Sequence, residues 1–175
     1  MKRYKAFIVV GYRNWGKSET LHQAFPEKIK GWVTLIGKKL FMRRMSNSDN
    51  PESYELFIRR MSNSDDPKSY IKFLKREQPR NLIITFNPDF DDEKYKVKEN
   101  LSRLDKTHDC YFYVLKNNFN KKKNRRVIKK EHIDLLKGFG EIKIIEIIDR
   151  KERGNKFKEF IVDIFKRVSG KVWIG

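Results

Sequence analysis

Cysteine is nearly absent: Cys110 stands alone among 175 residues. That excludes an internal disulfide and any zinc site built on several thiolates, and it makes the cytoplasm the simplest compartment. No apolar run approaches the ~18 residues of a spanning helix, so no membrane segment is expected. The apolar part of the opening MKRYKAFIVVGYR is short and no small-residue cleavage site follows it, so a signal peptide is not expected either. Acidic residues are scarce, 23 against 41 lysines and arginines, giving a net charge of +18. Such an excess suits a polyanionic partner such as nucleic acid; a lysine-rich solvated surface gives the same count. The histidines, His22, His108 and His132, show no metal-ligand spacing along the chain, and no nucleophile stands beside a base.

What is present suffices for one folded domain over residues 1–175. Hydrophobic residues make up 38% of the chain and aromatic residues 13%, enough for a core without staples. Ala6 to Val10 (AFIVV) is a continuous apolar run, as a strand buried on both faces requires. Lys17 to Phe25 reads as a helix ended by Pro26. Further strands are expected at Trp32–Ile36, Asn81–Phe86, Cys110–Leu115 and Ile142–Ile148. Helices are expected at about Asp92–Leu104 and 128–138, and along the stripe Phe157, Phe160, Ile161, Ile164, Phe165 and Val168. Alternating strands and helices predict an α/β three-layer sandwich: a mostly parallel sheet of about five strands with helices on both faces.

The second unit is enlarged by a tandem duplication within residues 40–71. LFMRRMSNSDNPESY (Leu40–Tyr54) returns as LFIRRMSNSDDPKSY (Leu56–Tyr70), identical at 12 of 15 positions. Two copies are too few for a solenoid. In each copy Ser-Asp precedes a proline, a helix-start signal. After Pro51, the residues Tyr54, Phe57, Ile58 and Met61 share one helix face. The hexad Leu40–Met45 is thus expected to be extended and its near-copy Leu56–Met61 helical, the competing expectation being that both are strands of an added hairpin. Arg43, Arg44, Arg59 and Arg60 are candidates for an acceptor site or for a solvated face.

GYRNWGKS, Gly11 to Ser18, fits GxxxxGK[ST] between an expected strand and an expected helix. Gly11 permits the turn out of the strand, and Gly16 lets backbone approach phosphate closely. Successive N–H groups from about residue 13 to 18 form a concavity for anions. Lys17 supplies a cation for outer phosphates, and Ser18 a hydroxyl for magnesium. Arg13 and Trp15 are further candidates, Arg13 to neutralise phosphate and Trp15 to cover the nucleotide or dock a partner.

In this motif and in its alternating elements the chain resembles the P-loop NTPase superfamily. The resemblance implies that Gly11, Asn14, Gly16, Lys17, Ser18 and Thr20 contact a nucleoside triphosphate, ATP foremost, with Mg2+ as cofactor. It also implies a magnesium-side carboxylate at the end of a neighbouring strand, for which Asp89 is the nearest candidate, ahead of Asp91 and Asp92. Here the chain departs from the pattern, because NLIITF closes on Asn87-Pro88 and no Asp-Glu pair follows. Elements that read guanine are absent as well: Lys116-Asn117-Asn118 lacks the order and the acid. The segment 116–130 is strongly basic, and Arg125 with Arg126 would be the arginines of a kinase-like lid. Expected functions are therefore triphosphate hydrolysis, phosphate transfer with 116–130 as lid, or nucleotide binding without catalysis beside nucleic acid.

Overall fold

The computed structural model describes residues 3–26, 30–36, 53–59, 62–76, 81–118, 127–146 and 149–168. Its first strand, β1 (Tyr4–Val10), is fully buried from Ala6 to Val10. It lies between β4 (Leu82–Phe86) and β5 (His108–Leu115), parallel to both, with Val10 level with Phe86 and Val114. Outward from β4 comes β3 (Ser53–Arg59), also parallel, and outward from β5 comes β6 (Gly140–Ile145). The antiparallel β2 (Lys30–Ile36) pairs with β3 from Lys30–Arg59 to Ile36–Ser53, so the order is β2-β3-β4-β1-β5-β6.

Strand residues alternate between two helix layers, as the period of a pleated strand demands. Ala6, Ile8 and Val10, with Leu82, Ile84, Phe86, Phe112 and Val114, pack on α2 (Pro67–Arg76), α3 (Val97–Asp105) and α4 (Lys130–Lys137) through Tyr70, Phe73, Leu101, Leu104 and Leu136. Phe7 and Val9, with Ile83, Tyr111 and Tyr113, pack on α1 (Lys17–Ala24) and α5 (Arg150–Val168) through Leu21, Ala24, Phe157, Phe160, Ile161 and Ile164. The architecture is the expected α/β three-layer sandwich, five parallel strands with an antiparallel edge. Among the described residues no helix is long and apolar enough to cross a membrane.

The second copy of the duplication departs from expectation. Its residues 56–59, expected to be helical, lie in β3. Leu56 and Ile58 are fully buried two positions apart, which is strand periodicity, and pairing on both sides, to β2 and β4, outweighs a helix face of four apolar residues. The competing expectation, that both hexads are strands, agrees at 56–59, whose antiparallel partner is however Lys30–Ile36; its other half falls on the first hexad. The hexad 40–45 lies outside the described residues, as do Arg43, Arg44 and Arg60. Arg59 stacks over the Phe73 ring, 4.3 Å from its centroid. The helix-start signal at Pro67 holds: Asp66 caps α2 by accepting the Ser69 N–H at 3.0 Å. The expected 92–104 helix is broken at Lys96, whose φ of 47° separates a 3-10 turn (Glu93–Tyr95) from α3.

α5 approaches α1 at Gly154, where an added Cβ would meet Gln23 Cβ at 2.6 Å and the Ala24 N at 2.7 Å. Gly154→Ala is expected to destabilise the protein by about 1–3 kcal/mol, despite a helix-propensity gain of about 1 kcal/mol. Urea unfolding of the two proteins checks this; equal or greater stability in the variant would contradict the close approach.

Candidate nucleotide site

At the carboxyl end of β1 the chain turns toward α1, while the loops after β4 and β5 lead to α3 and α4 on the opposite face. Diverging loops on adjacent strands open a crevice at the sheet edge, where ligands of such sheets bind. The Gly11 N–H donates to Phe86 O at 3.1 Å, extending the β1–β4 ladder into the loop. Asn14 (φ 64°) and Gly16 (φ 81°) are then left-handed, which curls the backbone into a concavity suited to anions. Gly16 begins α1 without a side-chain cap, so the helix start offers backbone N–H groups and the positive end of its dipole. Arg13, Asn14 and Ser18 are exposed at this mouth.

Lys17 is 6% exposed, and its Nζ donates to Tyr12 O at 2.9 Å. Burial pulls its pKa down to about 8, opposed by the carboxylate of Asp65. Asp65 lies in the turn before α2, in the second copy of the duplication, and its Oδ2 accepts the Ser62 N–H at 2.9 Å. That turn is docked beside the loop after β4: Asn63, fully buried, accepts the Asn87 N–H at 2.6 Å and donates to Asn87 O at 3.1 Å. Asp65 carried no signal of its own in the sequence, since it sits in a repeated string.

Several expected contacts are placed differently. Trp15 is 3% exposed, and its ring meets Tyr12 edge-on at 5.0 Å within the core. Burying two aromatic rings is worth about 1.5–3 kcal/mol each, which outweighs leaving them at the mouth. Thr20 is 1% exposed, and its hydroxyl donates to Gly16 O at 2.9 Å, bracing the turn. Asp89 is half-buried, with its N–H on Asn87 Oδ1 at 3.2 Å, and it gathers with Asp91 and His132. Arg125 lies outside the described residues; the Asn117–Val127 bridge closes the base of the segment that carries it.

Arg153, unexpected from sequence, holds the loop from α5. It is 2% exposed and donates to Trp15 O at 3.3 Å and Asn117 O at 3.1 Å, joining the loops after β1 and β5. Burial lowers its pKa, which Tyr113 partly offsets. The available signal was its place one turn before Phe157 on the apolar stripe.

The sequence matches no protein-family model and no curated protein. Two solution NMR structures of de novo designed proteins with the P-loop NTPase fold are similar to it in outline. Their identities are 11% and 13%, covering 98% of this chain and 99% and 98% of theirs, each with a TM-score of 0.48. A likeness of that degree says nothing of activity.

The buried ammonium yields a prediction for the ligand-free protein. Below about pH 8 Lys17 is protonated in both folded and unfolded chains, and the folded chain bears the full desolvation cost, about 3 kcal/mol. Between about pH 8 and 10.5 only the unfolded chain keeps this proton, so the cost disappears as pH rises. Lys17→Met, which loses one hydrogen bond worth about 1 kcal/mol, should therefore be the more stable protein at pH 7, by about 1–2 kcal/mol. Urea titrations at pH 7 and above pH 9 check both the gain and its shrinkage; a less stable variant at pH 7 would contradict the burial.

Proposed function

We propose that this chain binds a nucleoside triphosphate, ATP foremost, together with Mg2+, and cleaves its terminal phosphate. The observation that carries the proposal is Lys17, a desolvated cation at the floor of a loop whose left-handed residues expose backbone N–H groups. A triphosphate would supply the counter-charge that burial denies the ammonium. The N–H groups around residues 13–18 would hold phosphate oxygens, and Lys17 would turn from Tyr12 O to the outer phosphates, offsetting charge as it develops there. Magnesium bridging those phosphates supplies further charge neutralisation when bound. Its protein contacts would come from the Ser18 hydroxyl in the first turn of α1 and from a carboxylate on the crevice. Asp65, whose field reaches Lys17, fits that role better than Asp89.

The bridge between Asn117 and Val127 favours a second reading, phosphate transfer to an acceptor. It sets both ends of the basic segment at the crevice, where Arg125 and Arg126 would serve as lid arginines. The net charge of +18 supports a third, in which nucleic acid is the partner of the nucleotide-bound form.

Calorimetry with Mg-ATP and Mg-GTP tests the common premise. Binding is expected, with Lys17→Ala weakening it by about 1.5–3 kcal/mol, roughly 10- to 150-fold; absence of binding by the wild type would end all three readings. Phosphate release should fall further in Asp65→Asn than in Asp89→Asn, and the reverse order would return the magnesium side to Asp89. Stimulation by an acceptor pool selects phosphate transfer. Stimulation by DNA or RNA that weakens with salt selects the nucleic-acid reading.

A further inference from the structure

His132, on α4, is 2% exposed and fixed on several sides. Its ring centroid lies 6.1 Å from that of Tyr12 and 5.5 Å from that of Phe90. Its Nδ1 is 3.0 Å from the Tyr12 hydroxyl, and that same oxygen accepts the Lys129 N–H at 3.4 Å. Among the described residues the other ring nitrogen, Nε2, has no hydrogen-bond partner; Asp91 Oδ2 stands 3.4 Å away, at ion-pair distance. A buried polar atom left in this state costs about 1–3 kcal/mol, so its persistence asks for a reason. One is at hand: Nε2 and one carboxylate oxygen each from Asp89 and Asp91 all lie within 4.8 Å of one another.

We infer that Asp89, Asp91 and His132 form a binding site for a divalent transition ion, Mn2+ or Zn2+. The donor set makes the choice. An imidazole nitrogen suits transition ions, whereas Mg2+ and Ca2+ take oxygen alone, and two carboxylates with no sulfur disfavour soft monovalent copper. Donors at about 2.1 Å from an ion stand roughly 3–3.5 Å apart, so a contraction of about an ångström completes the site. Outer support is at hand in Tyr12 Oη: in the tautomer that carries its proton on Nδ1, that proton goes to Tyr12 Oη and the Nε2 lone pair faces the carboxylates, the form an ion would select. Lys129, paired with Asp91 in the metal-free protein, is the cation the ion displaces or shares. Open positions on the ion would be filled by water. None of its three residues belongs to the phosphate loop, although Asp89 is also the alternative magnesium-side carboxylate of the nucleotide reading, so binding is measured without nucleotide.

Equilibrium dialysis and calorimetry on the full, nucleotide-free chain, with Mn2+, Zn2+ and Mg2+ as the probes, test it. One Mn2+ or Zn2+ per chain is expected, held more tightly than Mg2+, and pulsed EPR of the Mn2+ form should show coupling to an imidazole nitrogen. Asp91 is exposed, so Asp91→Asn should fold normally and weaken binding about 10-fold or more. His132→Asn keeps a donor near Tyr12 and should abolish the nitrogen coupling, with a thermal melt confirming that it is folded. Should it fail to fold, Asp89→Asn combined with Asp91→Asn decides by affinity alone. No stoichiometric binding, affinity unchanged in the carboxylate variants, or nitrogen coupling that survives His132→Asn would each overturn the inference.

Discussion

Tyr12 is the residue on which the site's arrangement turns. Its carbonyl holds the Lys17 ammonium, its ring packs edge-on against Trp15, and its hydroxyl meets His132 Nδ1. One side chain at the end of β1 thereby couples the phosphate loop, the core and α4. The loop is consequently fixed from beneath by two buried aromatic rings and from α5 by Arg153, which leaves its backbone N–H groups as the face turned to the crevice. Preorganised donors of this kind need no rearrangement to meet an anion, and this is what makes them effective in a low-dielectric site.

Fixing the loop has an energetic consequence at Lys17. An ammonium in that position loses hydration and receives only a carbonyl and the field of Asp65 in return. The free protein therefore holds a charge that is poorly compensated, at a cost of about 3 kcal/mol at neutral pH. On the proposed function, binding a polyanion would remove that deficit, so part of the stabilisation of the complex would come from relief within the protein itself. Arg153 meets the same problem with more partners: its guanidinium, also buried, donates to two backbone carbonyls, although burial still lowers its pKa.

The parts of this structure legible in sequence are those set by local pattern. AFIVV and CYFYVL are continuous runs of apolar and aromatic residues, and NLIITF is broken within its strand by Thr85 alone, as strands covered on both faces require. GYRNWGKS marks its own loop through glycine and lysine at fixed spacing. What pattern cannot show is what the sheet order creates. Asp89 follows β4 and His132 lies on the helix after β5; they meet because β4 and β5 flank β1, though 43 positions separate them in the chain. Likewise Tyr12 and Trp15 read as bulky residues at a ligand's mouth, and only the depth of the core beneath the loop shows that they point inward. β3 was misread for a related reason. Tyr54, Phe57, Ile58 and Met61 satisfy a helix face, but a segment flanked by partners on both sides gains two ladders of backbone hydrogen bonds that periodicity along the chain does not contain.

The duplication sharpens that point. The string SNSD occurs twice, yet the second copy's Asn63 is committed to Asn87, donating to its carbonyl and taking its single N–H. In the same short turn Asp65 accepts the Ser62 N–H, and the opposing pull of its carboxylate on the Lys17 pKa is a property of place. Copying a sequence copies its propensities; it does not copy the sheet edge against which one copy became the wall of a crevice.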